Sequence, residues 1–143
     1  MKLTSLRAYE RTSSRNIKSY ARALVSSCAR KMKALILSAG LGTRLAPITN
    51  TLPKALAPVN GVPIIFYVLA LLKKHGIREF VLNLHHHAEK IPELLGDGKK
   101  LGISIEYSRE PMILGTGGGI KKMLRMTNDD DVLIANGDVI ADF

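Results

Sequence analysis

A chain of 143 residues is long enough for one domain with its own core, and its 46% apolar content is ordinary for a soluble globular protein. Its longest apolar run, Val62 to Leu72, is too short to span a bilayer, and its single cysteine, Cys28, excludes an internal disulfide. The net charge of +9 resides mostly in one segment: residues 1–31 carry eight basic side chains against Glu10, whereas residues 32–143 carry 13 basic and 11 acidic ones.

That distribution argues against a nucleic-acid-binding domain, since the excess belongs to a tail. Three readings of residues 1–31 compete: a transit-type peptide, a basic arm for an anionic partner, or sequence upstream of a start at Met32. The third is preferred, and the extension is expected to be disordered, because it shows neither a sustained period nor a core-sized apolar face.

The elements expected thereafter alternate. Lys33 to Ser38 reads as a buried strand. Pro63 to Lys74 reads as a helix, with proline in its first turn and Gly76 as its stop. Glu79 to Leu84 is a second strand, and Glu89 to Leu95 a short helix ended by Gly96-Asp97-Gly98. Ile103 to Tyr107 alternates as a third strand. Thr116 is expected to cap a helix running to about Met126. Asp131 to Ala135 is a fourth strand, followed by Asn136-Gly137-Asp138. Strands alternating with helices imply an α/β fold: a Rossmann-like parallel sheet with helices on both faces. Ligands of such sheets bind outside the carboxyl ends of the strands, where the Gly40 turn, the His85 region and Asp138 fall.

The segment Leu37 to Val59 (LSAGLGTRLAPITNTLPKALAPV) is the most informative. The first strand runs into Gly40 and Gly42, then into Arg44 and Lys54. No Asp or Glu occurs from Lys33 to Arg78. Glycines admit close approach of backbone N–H groups to oxygens, and fixed cations beside them suit a polyphosphate. Two common nucleotide loops fail on particular residues. A dinucleotide fingerprint needs a third glycine where Leu45 stands, and an acid about 20 residues on, where none precedes Glu79. The lysine and hydroxyl that complete a P-loop are also absent.

The combination GxGTR, P-x-T and PK resembles the sugar-phosphate nucleotidyltransferases, the NDP-sugar pyrophosphorylases. Gly40, Gly42, Thr43, Arg44, Leu45, Pro47, Thr49, Pro53, Lys54, Pro58 and Val59 match that signature in register. Ala55 departs from it, standing where the family usually has a second proline. The stretch LGDGKKLGISIEYSREP, with TGGGI and NGDV, resembles in particular the mannose-1-phosphate guanylyltransferase-like and N-acetylmuramate-1-phosphate uridylyltransferase-like members.

The resemblance spans residues 32–143. It implies a sheet that is mixed when complete, here cut after its fourth strand, and carrying the nucleotide half of an active site. It also implies the reaction: a sugar 1-phosphate attacks the α-phosphorus of a nucleoside triphosphate, pyrophosphate leaves, and Mg²⁺ assists. Arg44 would face the leaving pyrophosphate, Lys54 the reacting phosphates, and Asp138 the metal, with a second metal aspartate beyond this chain. Leu37, Ala39, Gly40, Gly42, Thr43, Arg44, Glu110, Gly115 and Thr116 would line the nucleotide. Glu110 would sit near the base edge, where a carboxylate only accepts hydrogen bonds. The expected partners are a nucleoside triphosphate and a sugar 1-phosphate, with neither nucleic acid nor membrane, in the cytoplasm; a homo-oligomer is left open.

Each assignment has a plainer counterpart. Asp138 in Asn-Gly-Asp reads equally as a turn residue, and Arg44 and Lys54 as solvated cations. The Gly115, Gly117, Gly118 and Gly119 run costs helix stability and so suggests a backbone that something approaches closely. His85, His86 and His87 read as a rim loop rather than a zinc site, because no cysteine or further spaced histidine joins them. A regulatory protein that binds nucleotide without catalysis is the alternative function; intact Arg44, Lys54 and Asp138 argue against it.

Overall fold

The computed structural model describes residues 32–127 and 131–140. The basic extension expected at residues 1–31 therefore lies outside the described residues.

Among the described residues six strands and three α-helices follow in chain order: β1 (Lys33–Leu37), β2 (Pro58–Val59), β3 (Val62–Pro63), α1 (Ile64–Lys74), β4 (Glu79–Leu84), α2 (Lys90–Leu95), β5 (Ser104–Arg109), α3 (Gly115–Leu124) and β6 (Val132–Asn136). The main sheet is four-stranded in the order β5-β4-β1-β6, and every pairing is parallel. The expected α/β architecture is therefore present.

Period and burial explain the layers. On one face Ala34, Ile36, Phe80, Leu82 and Ile105 pack against Ile65, Val68, Leu69 and Leu72 of α1 and Ile91 and Leu95 of α2. On the other, Leu35 and Val81 pack against Met123 of α3. β1 and β4 are covered on both sides, which is why they read as unbroken apolar runs rather than as alternating ones. No helix among the described residues is long and apolar enough to cross a membrane.

The structure differs from the sequence reading at a few points. β5 extends to Arg109 rather than stopping at Tyr107, because β4 continues to offer it a ladder partner, Leu84 opposite Arg109. β2 and β3 form a small antiparallel hairpin that was not expected. Its turn is Asn60-Gly61, both at positive φ (50° and 77°), the combination a two-residue hairpin with a primed turn requires. Thr116 does not cap α3. The helix begins one residue earlier, at Gly115, with Leu114 in the N-cap position and no side-chain cap; Glu110 Oε2 accepts from the N–H of Leu114 itself at 3.1 Å.

The chain visits β4 and β5 on one side of β1, then crosses to β6 on the other. The order of connection reverses between β1 and β6, so a crevice opens at their carboxyl ends.

Candidate nucleotide site

At that crevice lies a cleft of about 510 Å³ lined by Ser38, Gly40, Gly42, Thr43, Arg44, Leu45, Lys54, Ala55 and Asp138. Of the residues singled out from sequence, it gathers Gly40, Gly42, Thr43, Arg44, Lys54 and Asp138. Ser38, Leu45 and Ala55 complete the wall.

The turn after β1 is held from within. Gly42 adopts a left-handed φ of 65°, and its carbonyl accepts from Leu45 N–H at 2.8 Å and Thr49 Oγ1 at 3.0 Å. A side chain at Gly42 would put its Cβ 2.8 Å from Thr49 Cγ2 and 2.9 Å from Lys54 Cβ, so only glycine fits. Among the described residues the backbone N–H groups from Gly40 to Arg44 reach no protein acceptor, and Leu45 is the next to donate. Arg44 extends from a short 3-10 turn, Thr43–Leu45, and is exposed. A run of N–H groups beside a guanidinium is an anion cradle.

Lys54 starts another 3-10 turn, Lys54–Leu56, anchored by the buried Pro53, Ala55 and Leu56. Asp138 arrives from the opposite side. Gly137 N–H donates to Leu37 O at 2.9 Å, tying the end of β6 to the end of β1. A Cβ at Gly137 would press on Ile36 and on the Leu37 carbonyl, so glycine allows this close approach. Lys54 Nζ and Asp138 Oδ2 form an ion pair, with side chains 33% and 23% exposed. The two groups remain within reach of solvent and of a ligand.

The histidines brace the rim. His86 Nε2 donates to Thr49 O at 2.8 Å, His87 Nε2 to Asn50 O at 3.0 Å, and His85 Nδ1 to Glu110 O at 2.8 Å. Carbonyls only accept, so each named nitrogen carries the proton. Among the described residues no group of three or more His, Cys, Asp or Glu is arranged to hold a metal.

Five residues expected at the ligand lie outside the cleft lining. Leu37 packs with Leu35 and Val81, and Ala39 is buried with its N–H on Asn83 Oδ1 at 3.2 Å. Gly115 and Thr116 are exposed at the start of α3. Glu110 is only 4% exposed, and both of its oxygens accept hydrogen bonds inside the protein. Asn83, which sequence reasoning passed over, is buried at 3% exposure. It joins Ser38 and Ala39 to Glu110. The signal was a lone amide in an otherwise apolar strand, EFVLNL.

The family model described as Nucleotidyl transferase matches residues 33–143. The chain belongs to that family. N-acetylmuramate alpha-1-phosphate uridylyltransferase of Neisseria meningitidis is 44% identical over 112 residues, covering 78% of this chain and 48% of that protein. D-glycero-alpha-D-manno-heptose 1-phosphate guanylyltransferase of Aneurinibacillus thermoaerophilus is 42% identical over 109 residues, covering 76% and 47%. Among solved structures, HddC from Yersinia pseudotuberculosis complexed with GMP-PN superposes with a TM-score of 0.66 at 27% identity, over 74% of this chain and 47% of that one. The chain thus spans about half the length of these relatives. Nucleotidyltransferases of this family generally depend on a divalent metal.

The cleft suits such a metal. Asp138 offers one hard carboxylate beside a cradle for phosphate oxygens, and Mg²⁺ takes one or two carboxylates with phosphate oxygens and waters rather than an all-protein cage.

Proposed function

We propose that this chain carries the nucleotide-activating part of a sugar-1-phosphate nucleotidyltransferase, which moves a nucleoside monophosphate from a nucleoside triphosphate to a sugar 1-phosphate and releases pyrophosphate. The observation that carries this reading is the Lys54–Asp138 pair, set across the β1–β6 crevice and facing the glycine turn. The named activities of the relatives support it.

In this reading the N–H groups from Gly40 to Arg44 receive the phosphate oxygens, and Arg44 balances the charge that gathers on the departing pyrophosphate. Lys54 exchanges Asp138 for oxygens at the reacting phosphorus, which frees the Asp138 carboxylate to hold Mg²⁺. When bound, the metal supplies positive charge to the phosphate oxygens. No covalent protein intermediate is needed, because transfer to the sugar phosphate is direct and the protein's work is positioning and charge stabilisation. In this reading the reaction runs in the cytoplasm, and the lone Cys28, which suits a reducing compartment, supports that.

Calorimetry with GTP and with UTP, each with and without Mg²⁺, tests the binding step. Wild type should bind at least one of them in the presence of Mg²⁺, and Arg44→Ala should weaken that binding about tenfold or more, the loss of one charge-assisted contact. Equal, negligible heats for both proteins would reject the reading. Pyrophosphate release with mannose 1-phosphate plus GTP, and with N-acetylmuramate 1-phosphate plus UTP, separates transfer from binding alone.

A further inference from the structure

Between the glycine turn of the candidate site and the loop before α3 runs a chain of buried hydrogen bonds. Ser38 N–H and Ala39 N–H, at the root of the glycine turn, donate to Asn83 Oδ1 at 2.6 and 3.2 Å. Asn83 Nδ2 donates to Glu110 Oε1 at 2.8 Å, and Glu110 Oε2 accepts from Leu114 N–H at 3.1 Å, at the threshold of α3. Bonds to backbone carbonyls run alongside: Ser38 Oγ donates to Asn83 O at 2.6 Å, and Glu110 N–H to Leu84 O at 2.7 Å. The glycine run of α3 accommodates this chain. A Cβ at Gly119 would lie 2.7 Å from Asn83 Nδ2 and 2.9 Å from Glu110 Oε1. By contrast, one at Gly117 would meet nothing within 4 Å. What approaches the helix backbone closely at Gly119 is the protein's own amide and carboxylate.

We propose that Asn83 and Glu110 are positioning residues that hold the phosphate turn and the loop before α3 at a fixed separation. A nucleotide spanning both, phosphates at one and nucleoside at the other, then meets a preformed site. The inference rests on the functional reading above and gives Glu110 a role through the loop rather than on a base edge. It predicts a dependence that phosphate alone would not show. Asn83 meets the turn through its acceptor, which an aspartate retains. It meets Glu110 through its donor, which an aspartate replaces with a second carboxylate. Asn83→Asp therefore leaves the turn supported and repels the far loop. Glu110→Gln fails differently, since its amide cannot accept from both Asn83 and Leu114 through the same two atoms. The double change Asn83→Asp with Glu110→Gln restores every bond with one donor and acceptor exchanged: the new amide donates to the new carboxylate, and its oxygen accepts from Leu114 N–H.

Binding of the preferred triphosphate, GTP or UTP, and of inorganic tripolyphosphate, all with Mg²⁺, reads this out in the full chain. Each single variant should lose roughly 10- to 100-fold in nucleoside triphosphate affinity, the range for a buried hydrogen bond to a charged group. Tripolyphosphate affinity should stay within about threefold, because the turn keeps its support. The double variant should bind the nucleotide within about threefold of wild type, and this holds as a test even if a single variant does not fold. Amide hydrogen exchange at Leu114 should quicken in Asn83→Asp and return to the wild-type rate in the double variant. Singles that bind nucleotide like wild type, an equal loss for tripolyphosphate, or a double variant no better than either single would overturn the proposal. If wild type binds no nucleotide, the functional reading fails separately, and unchanged Leu114 exchange in Asn83→Asp would then remove the brace itself.

Discussion

Two lysine–carboxylate pairs sit at opposite ends of the sheet, and they show how position decides what the same chemistry does. At the amino end, Lys33 opens β1, and its Nζ lies 3.3 Å from Glu79, which opens the adjacent β4, and 4.0 Å from Glu106 in β5, one strand further out. The lysine side chain is 11% exposed and both glutamates about half exposed, so its stem lies along the sheet face while the charges meet water. At the carboxyl end, Lys54 and Asp138 come from separate elements and face a cleft with unpartnered backbone donors. The first group ties β1 to β4 and β5 near their amino ends. The second spans the place where the strand order reverses and is open to exchange partners.

Removing the charges should separate the two pairs most sharply. Asp138→Asn and Lys54→Met should each lower pyrophosphate release about 100-fold or more, the scale for deleting one group that stabilises developing charge. The melting temperature should move by less than about 5 °C, because a partly exposed pair is worth about 0–1 kcal/mol. Asp138→Asn should also weaken the Mg²⁺ dependence of nucleotide binding while sparing metal-free binding. Lys33→Met should cost a similar stability, at most about 1 kcal/mol, with no change in nucleotide affinity. If Lys33→Met lowered affinity as far as Lys54→Met, the two ends would not differ as described.

Glycines sharpen the same contrast at a smaller scale. Gly42→Ala must hold alanine at positive φ and push Thr49 and Lys54 aside, so it should cost about 2–3 kcal/mol of stability and roughly tenfold in nucleotide affinity. At Gly40 a Cβ meets nothing within 4 Å, and no positive φ opposes it. Gly40→Ala should therefore leave the melting temperature unchanged, yet weaken nucleotide binding, because the methyl fills space in the cleft. Gly61→Ala, in the β2–β3 turn at φ 77°, should show the complement: a modest loss of stability and unaltered binding. Should Gly40→Ala bind normally, the anion cradle is misplaced.

Much of this was legible from residues alone, for identifiable reasons. The strands and helices of the main sheet announce themselves through apolar runs punctuated by glycine and proline, and each is present within two residues of expectation at either end. The glycine turn, Arg44, Lys54 and Asp138 converge because parallel strands bring their carboxyl ends to one edge. The hairpin at Asn60-Gly61 was readable in Val-Asn-Gly-Val but was masked by the longer helical pattern beside it. The Asn83–Glu110 brace was not, since its partners stand 45 and 27 residues apart and the bonds depend on strand register. Nor does the sequence show that Glu110 is buried, its two oxygens accepting from Asn83 Nδ2 and Leu114 N–H.

The finest test of the comparison lies on the outer strand, away from the cleft. Tyr107 in β5 donates its hydroxyl to Gly96 O at 2.6 Å, which ties the end of α2 to the sheet. Burial, and then the negative charge of Asp97, push its pKa up to about 12 from the ordinary value of 10.0. A phenol whose pKa is raised by folding favours the folded state most while it is protonated. That contribution is complete below about pH 10 and is lost as the pH climbs through about 12. Tyr107→Phe should be less stable than wild type at neutral pH by about 1 kcal/mol, one hydrogen bond's worth. The gap should then narrow between pH 10 and 12, by less than an enclosed group would give, since water at the part-exposed ring screens the charge. Denaturant titrations of both proteins across that range measure the gap directly. A constant gap would mean that the phenol ionises alike in folded and unfolded chains. Nucleotide affinity of Tyr107→Phe at neutral pH should match wild type, because the lost hydroxyl is bonded to Gly96 O and to neither the brace nor the cleft.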